Sequence, residues 1–368
     1  MTSLSLAKAA VHDGPSIFGS SGEPSDAHER VVFRHDHATG LKAIVAIHST
    51  VLGRALGGTR FYPYGDEHEA LADVLRLSRG MTYKAAAAGL PYGGGKAVII
   101  GDPATTKTPE LLQAYGSLVE SLGGDYVTGG DVGTTADDLD IIGTTTSYVA
   151  TRTAAAGGTG DTAPLTALGV LHSMRAAAMH AWGEPSLSGR RVGVEGLGKV
   201  GRRLVGLLLD EGATVIGCDP SPEARALARG LHPKLALAER VIDEEVDIYG
   251  PCAMGGTVTS ASAEVIRARI VCGAANNQLL DAPAGDVLQS RGIIWVPDYV
   301  ANAGGLVQGV GELEGRPTDD VQRDVEAIFD TVDQILRVSS DQSITPGSAA
   351  DRVVRARIAA ATSSADRP

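Results

Sequence analysis

Lys84, Lys96 and Asp131 are the side chains whose types and settings best suit acid–base chemistry in this sequence. Lys96 follows Gly93-Gly94-Gly95 and precedes the apolar run Ala97–Ile100, so its neighbours are small or apolar. A lysine desolvated in such surroundings, beside a second cation such as Lys84, has its neutral form favoured. It can then act as a general base near neutral or mildly alkaline pH. Asp131 stands in Thr128-Gly-Gly-Asp-Val-Gly133, a loop after an apolar strand, where catalytic side chains commonly emerge in α/β sheets. Residue type alone leaves a bland reading open for all three: solvated surface lysines and a turn or helix-capping aspartate.

A second motif lies downstream. Gly196-Leu197-Gly198-Lys199-Val200-Gly201 follows the apolar strand ending at Glu195 and opens a helix. In such a turn the first glycine permits the sharp bend and the second lets backbone approach a pyrophosphate. The third allows close helix–strand packing. The helix N-terminus adds free N–H groups and a positive dipole end for phosphate. Asp219 ends the next strand, where a carboxylate accepts hydrogen bonds from ribose hydroxyls and repels a 2′-phosphate. Pro220-Ser221-Pro222 follows it without an arginine, so NAD is expected rather than NADP. A plain glycine-rich turn with Asp219 as a helix cap is the alternative, and the complete strand–GxGxxG–helix–strand–Asp unit argues against it.

The elements that must position these groups follow from periodicity. Apolar runs at Glu29–Arg34 and Leu41–Ser49 flank the turn His37-Ala-Thr-Gly40 and predict a strand pair. Asp66 is placed to cap a helix over Glu67–Ala88, with Leu71, Val74, Leu75 and Ser78 at helical spacing. Strands at Ala97–Ile100 and Tyr126–Thr128, a helix over Pro109–Leu122 and another opening at Asp137-Asp138 follow. This alternation predicts a mostly parallel sheet covered by helices.

The small-residue run Ala154–Thr162 reads as a hinge, with a helix Thr166–Trp182 after it. Beyond lie strand Arg191–Glu195, helix Lys199–Glu211 and strand Thr214–Cys218, then strands at Asp247–Tyr249, Ile270–Cys272 and Ile293–Val296. Asp319–Val338 and Pro346–Ala361 read as two helices. The expected class is α/β in two domains. A mobile lead-in covers 1–28, and a first domain carrying the lysines and Asp131 covers 29–153. A Rossmann-type domain covers 154–330, and C-terminal helices cover 331–368. The active site is expected in the cleft between the domains.

Composition narrows the function classes. The 368 residues carry 32 basic and 44 acidic side chains, a net charge of −12 that repels phosphate backbones and anionic lipid. Aromatic residues are 4%, too few for a base-stacking platform, so neither nucleic acid nor membrane is an expected partner. No apolar run reaches bilayer-spanning length and the N-terminus lacks a signal-peptide core. The three cysteines, Cys218, Cys252 and Cys272, form no CxxC pair, so a disulfide framework is not expected and a cytoplasmic location fits. His35 and His37 share a strand face without an HExxH motif, so no metal is expected.

The chain resembles the NAD-dependent amino-acid dehydrogenases acting on leucine, valine or phenylalanine, relatives of glutamate dehydrogenase. The likeness runs from about Val31 to Asp351 and rests on LGGTR (56–60), GMTYKAAAAGL (80–90), GGGKAVIIGD (93–102) and YVTGGDVGT (126–134). It continues through GLGKVG (196–201), GPCAMGG (250–256), GAANNQL (273–279) and DYVANAGG (298–305). The resemblance implies that Lys84 binds the substrate α-carboxylate near Gly57 and Gly58, that Lys96 activates water and that Asp131 exchanges a proton with the amino group. It implies that Thr166 holds the nicotinamide amide, that Cys252, Ala253 and Ala275 line the cofactor, and that Asn276 contacts substrate and ribose. Amino acid, NAD and water would give 2-oxo acid, ammonium and NADH. The resemblance also implies that 29–153 is the substrate-binding, oligomerising domain of a homo-oligomer and that the helices over 331–368 pack back toward it. Ala163 stands where the family often has Ser, removing one hydroxyl near the cofactor.

Specificity is expected from three wall positions. Branched-chain members tend to carry Ala where this chain has Gly129 and Val where it has Leu306, and Val or Leu is usual at Gly309. The net loss of wall carbons favours a bulkier side chain such as that of phenylalanine, each CH₂ being worth about 0.8 kcal/mol. Valine or leucine is the alternative, for which neighbours fill the gap. A catalytically silent NAD-binding protein is the reading of another class. Retention of Lys84, Lys96 and Asp131 together argues against it.

Overall fold

The computed structural model describes residue 17 and residues 27–365, so most of the lead-in expected over 1–28 lies outside the described residues. In the first unit, β1 (Arg30–Asp36) and β2 (Leu41–Ser49) form an antiparallel hairpin. Next come β3 (Ala55–Tyr62), α1 (Glu67–Ala87), β4 (Gly93–Ile100), α2 (Pro109–Ser121), β5 (Tyr126–Gly130) and α3 (Ala136–Ile142). The Asp66 side chain accepts from Glu69 N and starts α1, and a Thr135–Asp138 capping box starts α3.

The sheet order is β1-β2-β4-β3-β5. It is mixed rather than mostly parallel: β2 pairs antiparallel with β1 and β4, while β3 pairs parallel with β4 and β5. A tight turn can only reverse the chain between β1 and β2, whereas the α1 crossover brings β4 back parallel to β3. The apolar pattern does not predict β3, because Gly57-Gly58 followed by Thr59-Arg60 breaks the alternation.

The glycine triplet belongs to β4 and sets how closely α1 packs on it. A Cβ on Gly94 would sit 2.0 Å from Thr82 N, so helix backbone lies directly on strand backbone. Thr82 and Gly94 each lie two residues before one of the lysines, so this contact also fixes where both lysines begin. Gly94→Ala is expected to cost about 1–3 kcal/mol through overpacking. Chemical denaturation checks it, and an unchanged midpoint would show that α1 does not depend on this contact.

In the second unit α4 (Ala163–Trp182) precedes β6 (Arg191–Glu195), α5 (Lys199–Asp210), β7 (Thr214–Cys218), α6 (Pro222–Leu231) and β8 (Ala236–Leu237). Then come β9 (Ile248–Pro251), α7 (Ser260–Val265), β10 (Ile270–Val271), α8 (Ala282–Ser290) and β11 (Ile294–Trp295). All pairings are parallel in the order β11-β10-β9-β6-β7-β8, the doubly wound arrangement with its switch point between β6 and β9. Four helices lead into the tail: α9 (Asp298–Ala301), α10 (Gly304–Leu313), α11 (Thr318–Glu326) and α12 (Ile328–Gln342). The single helix expected over 319–338 is thus broken at Ala327.

The last helix, α13 (Pro346–Ala365), returns to the first unit, where Arg357 Nη1 donates to the carbonyls of Ala86 (3.0 Å) and Ala87 (2.6 Å). The segment 154–162 holds a 3₁₀ turn and is pinned to α10. The Glu312 carboxylate accepts from Thr159 N (2.8 Å), Thr159 Oγ1 (2.7 Å) and Arg152 N (3.2 Å). One buried apolar cluster joins Leu56, Tyr83 and Val127 of the first unit to Val170 and Met174 of the second. Among the described residues no helix is long and apolar enough to cross a membrane.

Candidate active site

Lys96 is the fourth residue of β4, and Asp131 is the first residue beyond β5. β3 lies between those strands, and Gly58 there has no side chain to part them: a Cβ would sit 2.5 Å from the Gly130 carbonyl oxygen and 3.0 Å from Asp131 Cβ. Lys96 Nζ reaches Asp131 Oδ2 at 2.6 Å, and Arg60 Nε approaches the same oxygen at 3.5 Å. Arg60 is itself held by Asp73, whose Oδ2 accepts from Arg60 Nη1 (2.7 Å) and from the Tyr64 hydroxyl (2.7 Å). Burial alone would push the Asp131 carboxyl up, but the Lys96 and Arg60 cations hold it below the usual carboxylate range.

Lys84, half-buried in the last turn of α1, completes the cluster. Burial brings its ammonium down to about 8, the carboxylates of Asp298 and Asp131 oppose that shift, and the charge of Lys96 adds to it. The depression expected of a lysine buried beside a second cation is found at Lys84. Asp298, at the start of α9, accepts from Gln278 N (3.2 Å) and Tyr299 N (2.9 Å). Burial still leaves its carboxyl above the usual range. Gly57, on β3, accepts from the Tyr126 hydroxyl at 2.7 Å.

The glycine motif forms an open cradle. Gly196 has φ 98°, Gly198 is the exposed N-cap of α5 with nothing within 4 Å of where a Cβ would sit, and a Cβ on Gly201 would lie 1.9 Å from the Gly196 carbonyl oxygen. No side chain caps α5, so the N–H groups of its first turn, at Lys199 and Val200, are free to face an anion. Asp219 Oδ2 accepts from Leu197 N at 2.8 Å and Oδ1 from Ser221 N at 2.8 Å, which fixes the carboxylate at the edge of the cradle.

Cys252 and Ala253 after β9 and Ala275 and Asn276 after β10 lie across the switch point. Cys252 N donates to the Glu195 carbonyl (2.7 Å), Ala275 N to the Pro251 carbonyl (2.9 Å), and Ala253 N lies 2.7 Å from where Gly196 would carry a Cβ. Burial pushes the Cys252 thiol up to about 12, so it is a neutral packing group. Thr166 Oγ1, in the first turn of α4, donates to the Thr162 carbonyl (3.0 Å) and sits 2.9 Å from the Cβ position of Gly305. Asn276 Oδ1 accepts from Asn302 Nδ2 at 2.7 Å. Thr166 and Asn276 thus both meet the chain around the start of α10.

Gly129 pairs with Gly58 of β3, where a Cβ would lie 3.0 Å from Asp131 Cβ, so Gly129 and Asp131 lie near one another on the sheet. Leu306 and Gly309 lie three apart on α10 and so on one face of that helix. Thr151 stands between: Oγ1 accepts from Gly130 N at 3.1 Å and lies 3.5 Å from a Cβ position on Gly129, while Cγ2 lies 3.5 Å from one on Gly309. Thr151 has φ 60°, a left-handed conformation costing a residue with a Cβ roughly 1–2 kcal/mol.

Sequence reasoning gave no role to Arg60, Asp298 or Thr151. The first two stand inside the motifs LGGTR and DYVANAGG, so the signal was present without an assignment. Nothing in the type of Thr151 announces its φ.

Residues 28–148 match the family described as Glu/Leu/Phe/Val dehydrogenase, dimerisation domain, and residues 223–364 match Glutamate/Leucine/Phenylalanine/Valine dehydrogenase. Valine dehydrogenase of Streptomyces virginiae is 50% identical over 335 residues, spanning 90% of this chain and 94% of its own. Leucine dehydrogenase of Bacillus subtilis is 43% identical over 337 residues, spanning 90% and 91%. The structure of L-tryptophan dehydrogenase from Nostoc punctiforme superposes with a TM-score of 0.80 at 40% identity, covering 91% of this chain and 97% of that one. A hetero-hexameric glutamate dehydrogenase from Thermus thermophilus gives 0.77 at 25% identity, covering 93% and 91%. With both halves of the chain matched and relatives this similar along nearly its whole length, the protein belongs to the Glu/Leu/Phe/Val dehydrogenase family of oxidoreductases.

Proposed function

We propose that the protein catalyses the NAD-dependent oxidative deamination of an apolar L-amino acid to its 2-oxo acid and ammonium. The observation that carries this reading is the buried pairing of Lys96 Nζ with Asp131 Oδ2 at 2.6 Å, in the electrostatic field of Lys84. The open cradle at Gly198 and the uncapped start of α5 suit the pyrophosphate of a dinucleotide, with Asp219 at the ribose and Thr166 and Asn276 toward the nicotinamide end. A dinucleotide held by these residues would supply the acceptor for the hydride of the substrate Cα.

The remaining work falls to side chains. Lys84 Nζ holds the substrate carboxylate and so orients the Cα. Lys96 Nζ takes a proton from the water that adds to the resulting imine carbon, and Asp131 Oδ2 delivers a proton to the departing nitrogen. The contact between Lys96 and Asp131 lets the two groups exchange that proton without solvent. A catalytically silent binder has no need of two lysines gathered around one carboxylate. The segment 28–148 matches a dimerisation domain, and a homo-oligomer is the assembly proposed.

Substrate size is contested by two facts. The glycines at 129 and 309 favour a bulky side chain such as that of phenylalanine. Identity of 50% to a valine dehydrogenase favours a branched aliphatic one. Absorbance of NADH at 340 nm with L-valine, L-leucine, L-phenylalanine, L-tryptophan and L-glutamate tests the reaction. Turnover is expected with apolar substrates, and none with any of the five would leave the silent binder standing.

Asp219→Ala is expected to raise KM for NAD about tenfold and to narrow the preference over NADP. Loss of one charge-assisted contact accounts for an effect of that size. An unchanged ratio of kcat/KM for the two cofactors would remove Asp219 from the ribose site.

A further inference from the structure

We infer that Thr151 is the residue that sets the size of the substrate side chain, closing the space that Gly129 and Gly309 leave open and restricting the enzyme to branched aliphatic amino acids. This rests on the deamination reading above.

Gly129 lies two residues before Asp131, which directly follows β5, a distance of about 6.6 Å at extended-chain spacing. A substrate whose nitrogen is at Asp131 and whose carboxylate is at Lys84 therefore has its side chain to place near Gly129. Viewed alone, Gly129 and Gly309 make that space large. Thr151 fills it from the third side. Its Oγ1 lies 3.5 Å from where a Cβ on Gly129 would sit and its Cγ2 lies 3.5 Å from where one on Gly309 would sit, so a group entering that space meets Thr151 at ordinary van der Waals distance.

The orientation is fixed. Gly130 N donates to Oγ1 at 3.1 Å, which turns the hydroxyl toward β5 and the methyl toward α10. The next residue, Arg152, is tied to α10 through Glu312 at 3.2 Å. A position with φ 60° is one where glycine is the ordinary residue, so a β-branched side chain is held there against its own preference. Strain of this kind, kept by surrounding contacts beside a catalytic group, points to a role for the side chain that causes it.

The test compares kcat/KM for L-valine, L-leucine and L-phenylalanine in the wild type, Thr151→Gly and Thr151→Ser. Glycine accepts φ 60° without strain, so Thr151→Gly is expected to melt no lower than the wild type. Wild type is expected to favour valine or leucine over phenylalanine by at least about tenfold, the size of effect one methylene produces in an apolar pocket. Thr151→Gly should shift that ratio toward phenylalanine by at least about tenfold. Thr151→Ser keeps the hydroxyl and loses only the methyl, and should shift it in the same direction by less.

A wild type that prefers phenylalanine overturns the assignment. So does a ratio that stays within about twofold in both variants. Absence of turnover with every amino acid in the wild type is a different result, because it overturns the deamination reading itself and this assignment with it.

Discussion

Lys96→Ala is expected to lower kcat by about 10²–10⁴-fold, the range that a positioned general base contributes, while the affinity for NADH changes little. Lys96 is the nearer of the two cations on Asp131 Oδ2, at 2.6 Å against 3.5 Å for Arg60. Its removal takes away the group that deprotonates water. It also leaves Asp131 buried with a weaker counter-ion, so burial raises the carboxyl and impairs delivery of its proton. Neither loss reaches the cradle at Gly196–Gly201, which belongs to the other sheet. Initial rates at 340 nm and quenching of protein fluorescence by NADH separate the two effects. A variant retaining more than a tenth of wild-type kcat would remove Lys96 as the base, and lost NADH binding would mean that the two units are coupled through it.

What the sequence reveals of this site divides by how local the cause is. The start of α1 is legible because the cap Asp66 and the helical spacing of Leu71, Val74 and Leu75 lie within one short stretch of chain. The glycine motif is legible for the same reason, since turn, cradle and packing glycine fall within six consecutive positions. β3 is hidden because its reason for being a strand is external: β4 and β5 pair with its two edges, and Gly57-Gly58 contributes no apolar pattern. The mixed direction of the first sheet is hidden likewise, because alternation of strand and helix does not say on which side β2 will meet β4.

The electrostatics follow the same rule. Lys84 and Lys96 lie close in sequence, and their convergence could be argued from the helix and strand that carry them. Asp298, which opposes the depression of Lys84, comes from the far end of the second unit. Gly129, Leu306 and Gly309 do not announce Thr151, because the approach of a loop threonine to the open side of two glycines from different elements exists only in the folded chain.

Lys84 carries the second large expectation. Lys84→Met should raise KM for the amino acid by about 10²-fold and change kcat less. Truncating one partner of a buried charge pair costs about 2–5 kcal/mol. The pH dependence distinguishes this role from a structural one. Burial lowers the Lys84 ammonium to about 8 in the free enzyme, so the group is charged below that pH and neutral above it. Attraction for a carboxylate is therefore present at lower pH and lost as pH rises through about 8. Deprotonation of the substrate ammonium works the other way and supplies the rising limb, so kcat/KM passes through a maximum and then falls. In the enzyme–substrate complex the bound carboxylate favours the charged lysine, and the falling limb in kcat moves to higher pH. Lys84→Met has no ammonium to lose, and its kcat/KM profile should keep the rise and drop the fall. A falling limb near pH 8 that survives the substitution would assign that titration to another group and leave Lys84 without the carboxylate.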